Sequence, residues 1–187
     1  MIRYLIQFLW LALLLFWLGT GVRIKPPKQM ERRGSRLARM ALTIFAFVFL
    51  LSNWGRIGWL AERFVPHSEA IAMLGALLTA LGVGLAGWAR YRLGMNWSSA
   101  VALKEGHELI CAGPYARIRH PIYSGVLLGL LGTALAIGEW RGLVAFGVVF
   151  ASYFIKARNE EALLAREFGS AFDNHRSRTG MFLPRLG

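Results

Sequence analysis

Residues 113–125 read Gly-Pro-Tyr-Ala-Arg-Ile-Arg-His-Pro-Ile-Tyr-Ser-Gly, a cluster of cations and aromatic rings at the mouth of an apolar run from Ile122 to Ile137. Glu160 and Glu161 stand just past a second apolar run. Ionisable groups at a membrane boundary are costly to place and are functional candidates by default. Arg119 can clamp a carboxylate through two hydrogen bonds. In Arg119-His120-Pro121 the proline suits the first turn of a helix, whose amino terminus favours a nearby anion. These residues outline a site for a ligand bearing a carboxylate or phosphate. An interfacial Arg-His pair that snorkels to lipid phosphates would have the same sequence. Glu160 lies one turn after Lys156 on the same helical face, which joins an anion to a cation. An exposed ion pair at a helix end is the simpler account of that spacing. Adjacent helical positions point about 100° apart, so one of Glu160 and Glu161 is expected to face the bundle and the other a loop, with no metal ion shared between them.

His107, in Lys104-Glu105-Gly106-His107-Glu108-Leu109-Ile110, lies in a polar loop expected to fold over the same face as this cluster. His67 and His175 read as solvated surface residues. His107, His120 and a glutamate could converge on a metal, but their spacing matches no familiar ligand pattern, and the chain has no His-x-x-x-His or Cys-x-x-Cys pair. No metal is expected. A Gly-Lys-Ser/Thr phosphate loop and a nucleophile elbow are also missing. Nothing alternates strand and helix as a dinucleotide-binding sheet would. The single cysteine, Cys111, rules out an intramolecular disulfide framework and reads as a reduced bystander.

The elements that must position these groups are apolar. Of 187 residues, 56% are hydrophobic and only 17% charged, more apolar surface than a soluble domain of this size needs to bury. Five apolar segments stand out, at 4–20, 40–55 (extending at most to Leu60), 69–89, 121–138 and 141–157, against about 20 residues for an upright span. Backbone polar groups in hydrocarbon need internal partners, and no alternating barrel pattern is present, so all five are expected to be helices. The last two, separated by Gly138-Glu139-Trp140-Arg141, should form a tight hairpin. The fold class is therefore all-α, a polytopic membrane protein in one domain, with variable helices over 1–65 and a core over 66–187. The stretch Tyr4–Gly19 resembles a signal peptide in length, but no small-x-small cleavage pattern follows it, so a retained first helix is expected. Gly75, Gly82, Gly84 and Gly87 in the third segment permit close approach of another helix or a ligand. Trp54, Trp59, Trp88, Trp97 and Trp140 read as an interfacial aromatic belt.

The net charge is +12, yet the cations lie between apolar segments rather than in one stripe, which argues against nucleic acid. They concentrate in loop 21–39, in segment 90–120 and in the tail from 156. By the positive-inside rule this places the amino terminus outside, the carboxyl terminus in the cytoplasm and both polar clusters on the cytoplasmic side of an inner membrane.

An ordered set of motifs runs through residues 70–185. It comprises Gly82-Val83-Gly84, Trp88-Ala89-Arg90, Leu93-Gly94, Asn96-Trp97-Ser98, His107-Glu108-Leu109-Ile110, Gly113-Pro114-Tyr115, Arg119-His120-Pro121-x-Tyr123-x-Gly125, Glu160-Glu161 and Phe168-Gly169. The set resembles the isoprenylcysteine carboxyl methyltransferase family and, more broadly, the membrane methyltransferases that include the phospholipid N-methyltransferases. The resemblance implies S-adenosyl-L-methionine as cofactor, enclosed between the last helices and the carboxyl-terminal segment. It would be held by His107, Glu108, Leu109, Ile110, Tyr115, His120, Pro121, Ile122, Tyr123 and Glu160. The resemblance also implies that a basic residue one turn before the glutamate contacts substrate; here that residue is Lys156, where arginine is usual.

Methylating a carboxylate needs no general base, because the acceptor is already ionised at neutral pH and alignment does most of the work. A phospholipid amine must first lose a proton, which would require a base such as Glu161. Glu160, Glu161 and Arg119 are thus the candidate catalytic residues and Lys156 the candidate substrate contact. The expected acceptor is lipophilic: an isoprenylcysteine-like carboxylate first, a phospholipid amine second. Membrane reductases that use NADPH resemble the same carboxyl-terminal half, and a non-enzymatic protein could keep the fold; both remain alternatives.

Overall fold

A computed structural model describes residues 1–20, 27–30, 33–52, 54–94, 102–104 and 109–185. The helices are α1 (Ile2–Thr20), α2 (Arg33–Leu51), α3 (Glu69–Leu93), α4 (Pro121–Ile137), α5 (Trp140–Phe168) and α6 (Ser170–Arg178). Four of them, α1, α2, α3 and α5, are long and apolar enough to cross a membrane, and α4 is a shorter apolar helix. The chain is an integral membrane protein built of helices, as the apolar pattern predicts. One element escapes that pattern: a short antiparallel ribbon of β1 (Pro27–Met30) and β2 (Ala102–Lys104), with Met30 opposite Ala102 and Pro27 opposite Lys104.

At 1.5 Å per residue the 17 residues of α4 span about 25 Å, less than the roughly 30 Å hydrocarbon core. Its apolar residues run all round the helix, and such a helix belongs inside a bundle. Accordingly α4 lies between α3 and α5, while α1 packs on α3 and α2 on α5. The contact of α3 with α4 is the most extensive in the fold, and glycine makes it possible. A Cβ on Gly82 would collide with the Gly129 nitrogen and the Gly125 carbonyl oxygen; one on Gly75 would lie 2.5 Å from the Gly132 carbonyl oxygen. Gly84 and Gly87 meet nothing within 4 Å, so close packing uses only part of the glycine series. Gly82→Ala is therefore expected to destabilise the protein by about 2 kcal/mol. Gly84→Ala should be neutral or slightly stabilising in the same thermal melts in detergent.

The α3–α4 seam is pinned by hydroxyls. Thr79 and Thr133 lie 3.2 Å apart, each also bonds the carbonyl four residues earlier in its helix, and the Trp10 indole of α1 donates to Thr133 at 3.0 Å. At the end of the bundle remote from His120, Gly138 (φ 73°) terminates α4, and Arg141 at the start of α5 is 3% exposed. Arg141 donates to Glu139 at 2.6 Å and to the carbonyls of Phe49 (3.0 Å) and Ser52, which fastens the end of α2. Glu139 also meets Arg56 at 3.2 Å.

Candidate active site

The segment leading into α4 is held in place by the carboxyl-terminal tail. The amide N–H of Arg119 donates to the Gly180 carbonyl at 2.8 Å and that of His120 to Met181 at 3.1 Å, while Gly180 N–H returns a bond to Arg117 at 3.1 Å. Ser124 Oγ adds a bond to the Phe182 carbonyl at 2.7 Å. This short parallel pairing closes the tail over the entry to α4, where Pro121 occupies the first turn with no donor to lose.

From α5 two carboxylates meet this entry. Glu161, 5% exposed, accepts from Arg119 Nε at 2.7 Å and lies 3.3 Å from His120 Nε2. Glu160 accepts from the Tyr123 hydroxyl at 2.8 and 2.9 Å and lies 3.6 Å from His120 Nδ1 and 3.8 Å from Lys156 Nζ. The imidazole thus stands between the two carboxylates. The expectation that one glutamate would face a loop is corrected: α5 continues to Phe168, so both side chains lie within a helix and reach one ring from opposite sides. The carboxylate that Arg119 holds is the protein's own, and Arg119 Nη1 donates to the Arg176 carbonyl at 3.3 Å and to the Thr179 carbonyl.

Among the described residues, two cavities flank this cluster. A small one, about 70 Å3, is lined by Leu93, Leu109, Ile110, Tyr115, Arg119, His120, Leu164, Phe172 and His175. The other, about 250 Å3, is lined by Ile122, Tyr123, Ser152, Tyr153 and Lys156 together with Trp17 of α1 and Arg36, Arg39, Met40, Thr43 and Ile44 of α2. The second shares Trp17, Thr43, Ile44 and Tyr153 with an apolar groove of about 550 Å3 between α1 and α2.

The sequence-derived candidates fall around these spaces. Leu109, Ile110, Tyr115 and His120 line the small cavity, Ile122, Tyr123 and Lys156 the larger, and Pro121 is buried in the first turn of α4. His107 and Glu108 lie outside the described residues. Burial pushes the Tyr115 hydroxyl up from its usual range, with the Glu160 carboxylate adding to the effect and Arg90 opposing it. His175 is not the solvated residue its place in the tail suggests: it lines the small cavity, and burial together with the nearby Arg119 guanidinium lowers its pKa.

Sequence reasoning missed the Tyr123–Glu160 bond, the α2 cations and Ser152. The only available signals were the position of Tyr123 in its motif and the arginine spacing at the start of α2. Among the described residues no group of three His, Cys, Asp or Glu side chains could hold a metal ion.

Residues 70–171, more than half of the chain, match the family model for phospholipid methyltransferase. The chain belongs to the phospholipid methyltransferase family. Similar curated relatives include the protein-S-isoprenylcysteine O-methyltransferase of Schizosaccharomyces pombe, 32% identical over 109 residues that cover 57% of this chain and 46% of the relative. The cobalt-zinc-cadmium resistance protein CzcN of Cupriavidus metallidurans is 31% identical over 145 residues, 76% of this chain and 61% of the relative. The nickel-cobalt-cadmium resistance protein NccN of Alcaligenes xylosoxydans xylosoxydans is 33% identical over 113 residues, 59% of this chain and 51% of the relative. The resemblance to the isoprenylcysteine carboxyl methyltransferases is thereby borne out. The chain spans about half of the length of the curated relatives it matches. The stretch matched to the phospholipid methyltransferase family holds Arg119, His120, Tyr123, Lys156, Glu160 and Glu161, whereas α1 and α2 lie before it.

Proposed function

We propose that this protein transfers a methyl group from S-adenosyl-L-methionine to the carboxylate of a lipophilic, isoprenylcysteine-like acceptor. The observation that carries this reading is the larger cavity. Lys156, Arg36 and Arg39 gather positive charge at one end, and the apolar groove between α1 and α2 leads away from it. An acceptor with a negative head and a long apolar tail is complementary to both parts.

The donor set fits the cofactor. The carboxylate of Glu160 complements a positively charged sulfur, the rings of His120 and Tyr123 stack at 5.3 Å beside it, and Leu93, Leu109, Ile110 and Leu164 offer an apolar wall. The small cavity falls below the roughly 300–1,000 Å3 usual for ligands of drug size, so it would take one part of the cofactor. When bound, S-adenosylmethionine supplies a methyl group on a sulfonium, which an acceptor oxygen takes as the carbon–sulfur bond breaks, giving a methyl ester and a neutral thioether.

The protein's part is to hold the reactants in line and to complement their charges. No proton has to move, because a carboxylic acid is ionised well below neutral pH. A phospholipid amine would need a base, and Glu161, engaged by both Arg119 and His120, is poorly placed to act as one. That contrast favours the carboxylate acceptor over the amine. The charge distribution supports an orientation with the amino terminus outside and the site facing the cytoplasm of an inner membrane.

Calorimetry of the purified protein in detergent tests the reading. Binding of S-adenosylhomocysteine in the micromolar range, no binding of NADPH, and methyl ester formation on N-acetyl-S-farnesylcysteine with a rate nearly flat from about pH 6 to 9 are expected. Methylation of phosphatidylethanolamine vesicles instead, with a rate rising with pH, would transfer the assignment to the amine acceptor. NADPH binding alone would point to a reductase.

A further inference from the structure

A serine inside a helix ordinarily returns its hydroxyl to the carbonyl one turn earlier. The hydroxyls of Thr133 and Thr79 do so at 2.8 and 2.9 Å, and that of Ser124 has the Phe182 carbonyl at 2.7 Å. Ser152 does neither. It lies in the interior of α5, 6% exposed, its Oγ finds no hydrogen-bond partner among the described residues, and it lines the larger cavity. A buried hydroxyl without a partner carries a desolvation penalty of about 1–3 kcal/mol, so an orphan against a cavity calls for a partner that the cavity will hold.

Lys156 is one turn further along α5, on the same face and lining the same cavity. An ammonium is a point donor and serves one carboxylate oxygen well, without the planar fork that would take both. A carboxylate that takes one hydrogen bond from Lys156 therefore has its second oxygen open to a donor on the same helix face, with Arg36 and Arg39 across the cavity adding charge. Ser152 has that donor, and among the described residues nothing else takes it.

We infer that Ser152 and Lys156 together form the carboxylate-reading element of the acceptor site, the serine hydroxyl donating to one oxygen and the lysine ammonium to the other. This rests on the acceptor reading given above and adds the residue that discriminates an acid from a neutral lipid of the same shape. Ser152 is assigned to acceptor selection because it lines the larger cavity together with Lys156 and is not among the residues around the smaller one.

The test compares the binding of N-acetyl-S-farnesylcysteine and of its decarboxylated counterpart, N-acetyl-S-farnesylcysteamine, to wild-type protein and to Ser152→Ala, with S-adenosylhomocysteine present so that no turnover occurs. Wild type is expected to prefer the acid. Ser152→Ala should lose about tenfold of that preference, the usual worth of one hydrogen bond to a charged group, with binding of the neutral analogue and of S-adenosylhomocysteine unchanged. An equal loss for both analogues would mean that Ser152 only packs, and an unchanged preference would mean that it faces nothing; either overturns the inference while leaving the acceptor reading intact. A wild-type protein that binds both analogues alike overturns the acceptor reading itself, and this inference with it.

Discussion

Arg119→Met is expected to lower stability by about 3–5 kcal/mol, the largest loss anticipated for any single substitution in this chain. The substitution removes a partner rather than a pair. Glu161 is 5% exposed and accepts from Arg119 Nε at 2.7 Å, and without the guanidinium its carboxylate stays buried with, among the described residues, His120 Nε2 at 3.3 Å to answer its charge. Arg119 also bonds the carbonyls of Arg176 and Thr179, so the same change frees the tail that closes over the entry to α4. Thermal melting in detergent, followed with the double variant Arg119→Met/Glu161→Met, checks the cause. Replacing both partners by apolar side chains of similar volume should recover much of the loss, because no uncompensated charge remains. A single-variant loss below about 1 kcal/mol would show that water reaches Glu161 and that the pair behaves as a surface ion pair.

That pair also marks where the sequence stops being legible. The apolar runs and the positions of the two polar clusters follow from residue type and spacing, since membrane helices need length and apolar composition and buried ionisable groups need a reason. The end of α5 does not follow. Lys156, Arg158 and Glu160 bring polarity that reads as the end of an apolar span, and a hydropathy signal cannot separate leaving the membrane from ending the helix. The helix in fact runs on to Phe168 through residues of good helix propensity, including Glu161, Ala162, Leu163 and Leu164.

Arg90 and Arg141 fail for a related reason. Counted by position they are loop cations. In the structure Arg90 is 2% exposed and donates to the Thr20 carbonyl at 2.7 Å, and Arg141 reaches the last carbonyls of α2. A guanidinium satisfies several helix-end carbonyls at once, a use set by which helices are neighbours. The tail pairing at Gly180 and Met181 depends on the same tertiary information, and no local pattern announces it.

Glu160 carries the second large effect, and its sign depends on charge. Its carboxylate is fixed by the Tyr123 hydroxyl at 2.8 and 2.9 Å and stands 3.6 Å from His120. If that carboxylate complements a positively charged sulfur, Glu160→Gln keeps the shape and the bond to Tyr123 but removes the charge. The methylated cofactor is a cation at sulfur and its demethylated product is not. The variant should therefore weaken S-adenosylmethionine by about tenfold while S-adenosylhomocysteine loses less than about threefold, a change of no more than about 0.6 kcal/mol in the product's affinity. Methyl ester formation should fall by about a hundredfold, because the reacting atoms lose both charge complementarity and fixed alignment. His120→Ala should weaken both forms alike, since the ring contributes a face and two nitrogens to the wall rather than a fixed negative charge. Calorimetry with each ligand separates the cases. Equal losses for the two forms in Glu160→Gln would make Glu160 a contact to some other part of the cofactor, and unchanged binding in both variants would remove the cofactor from this cluster altogether.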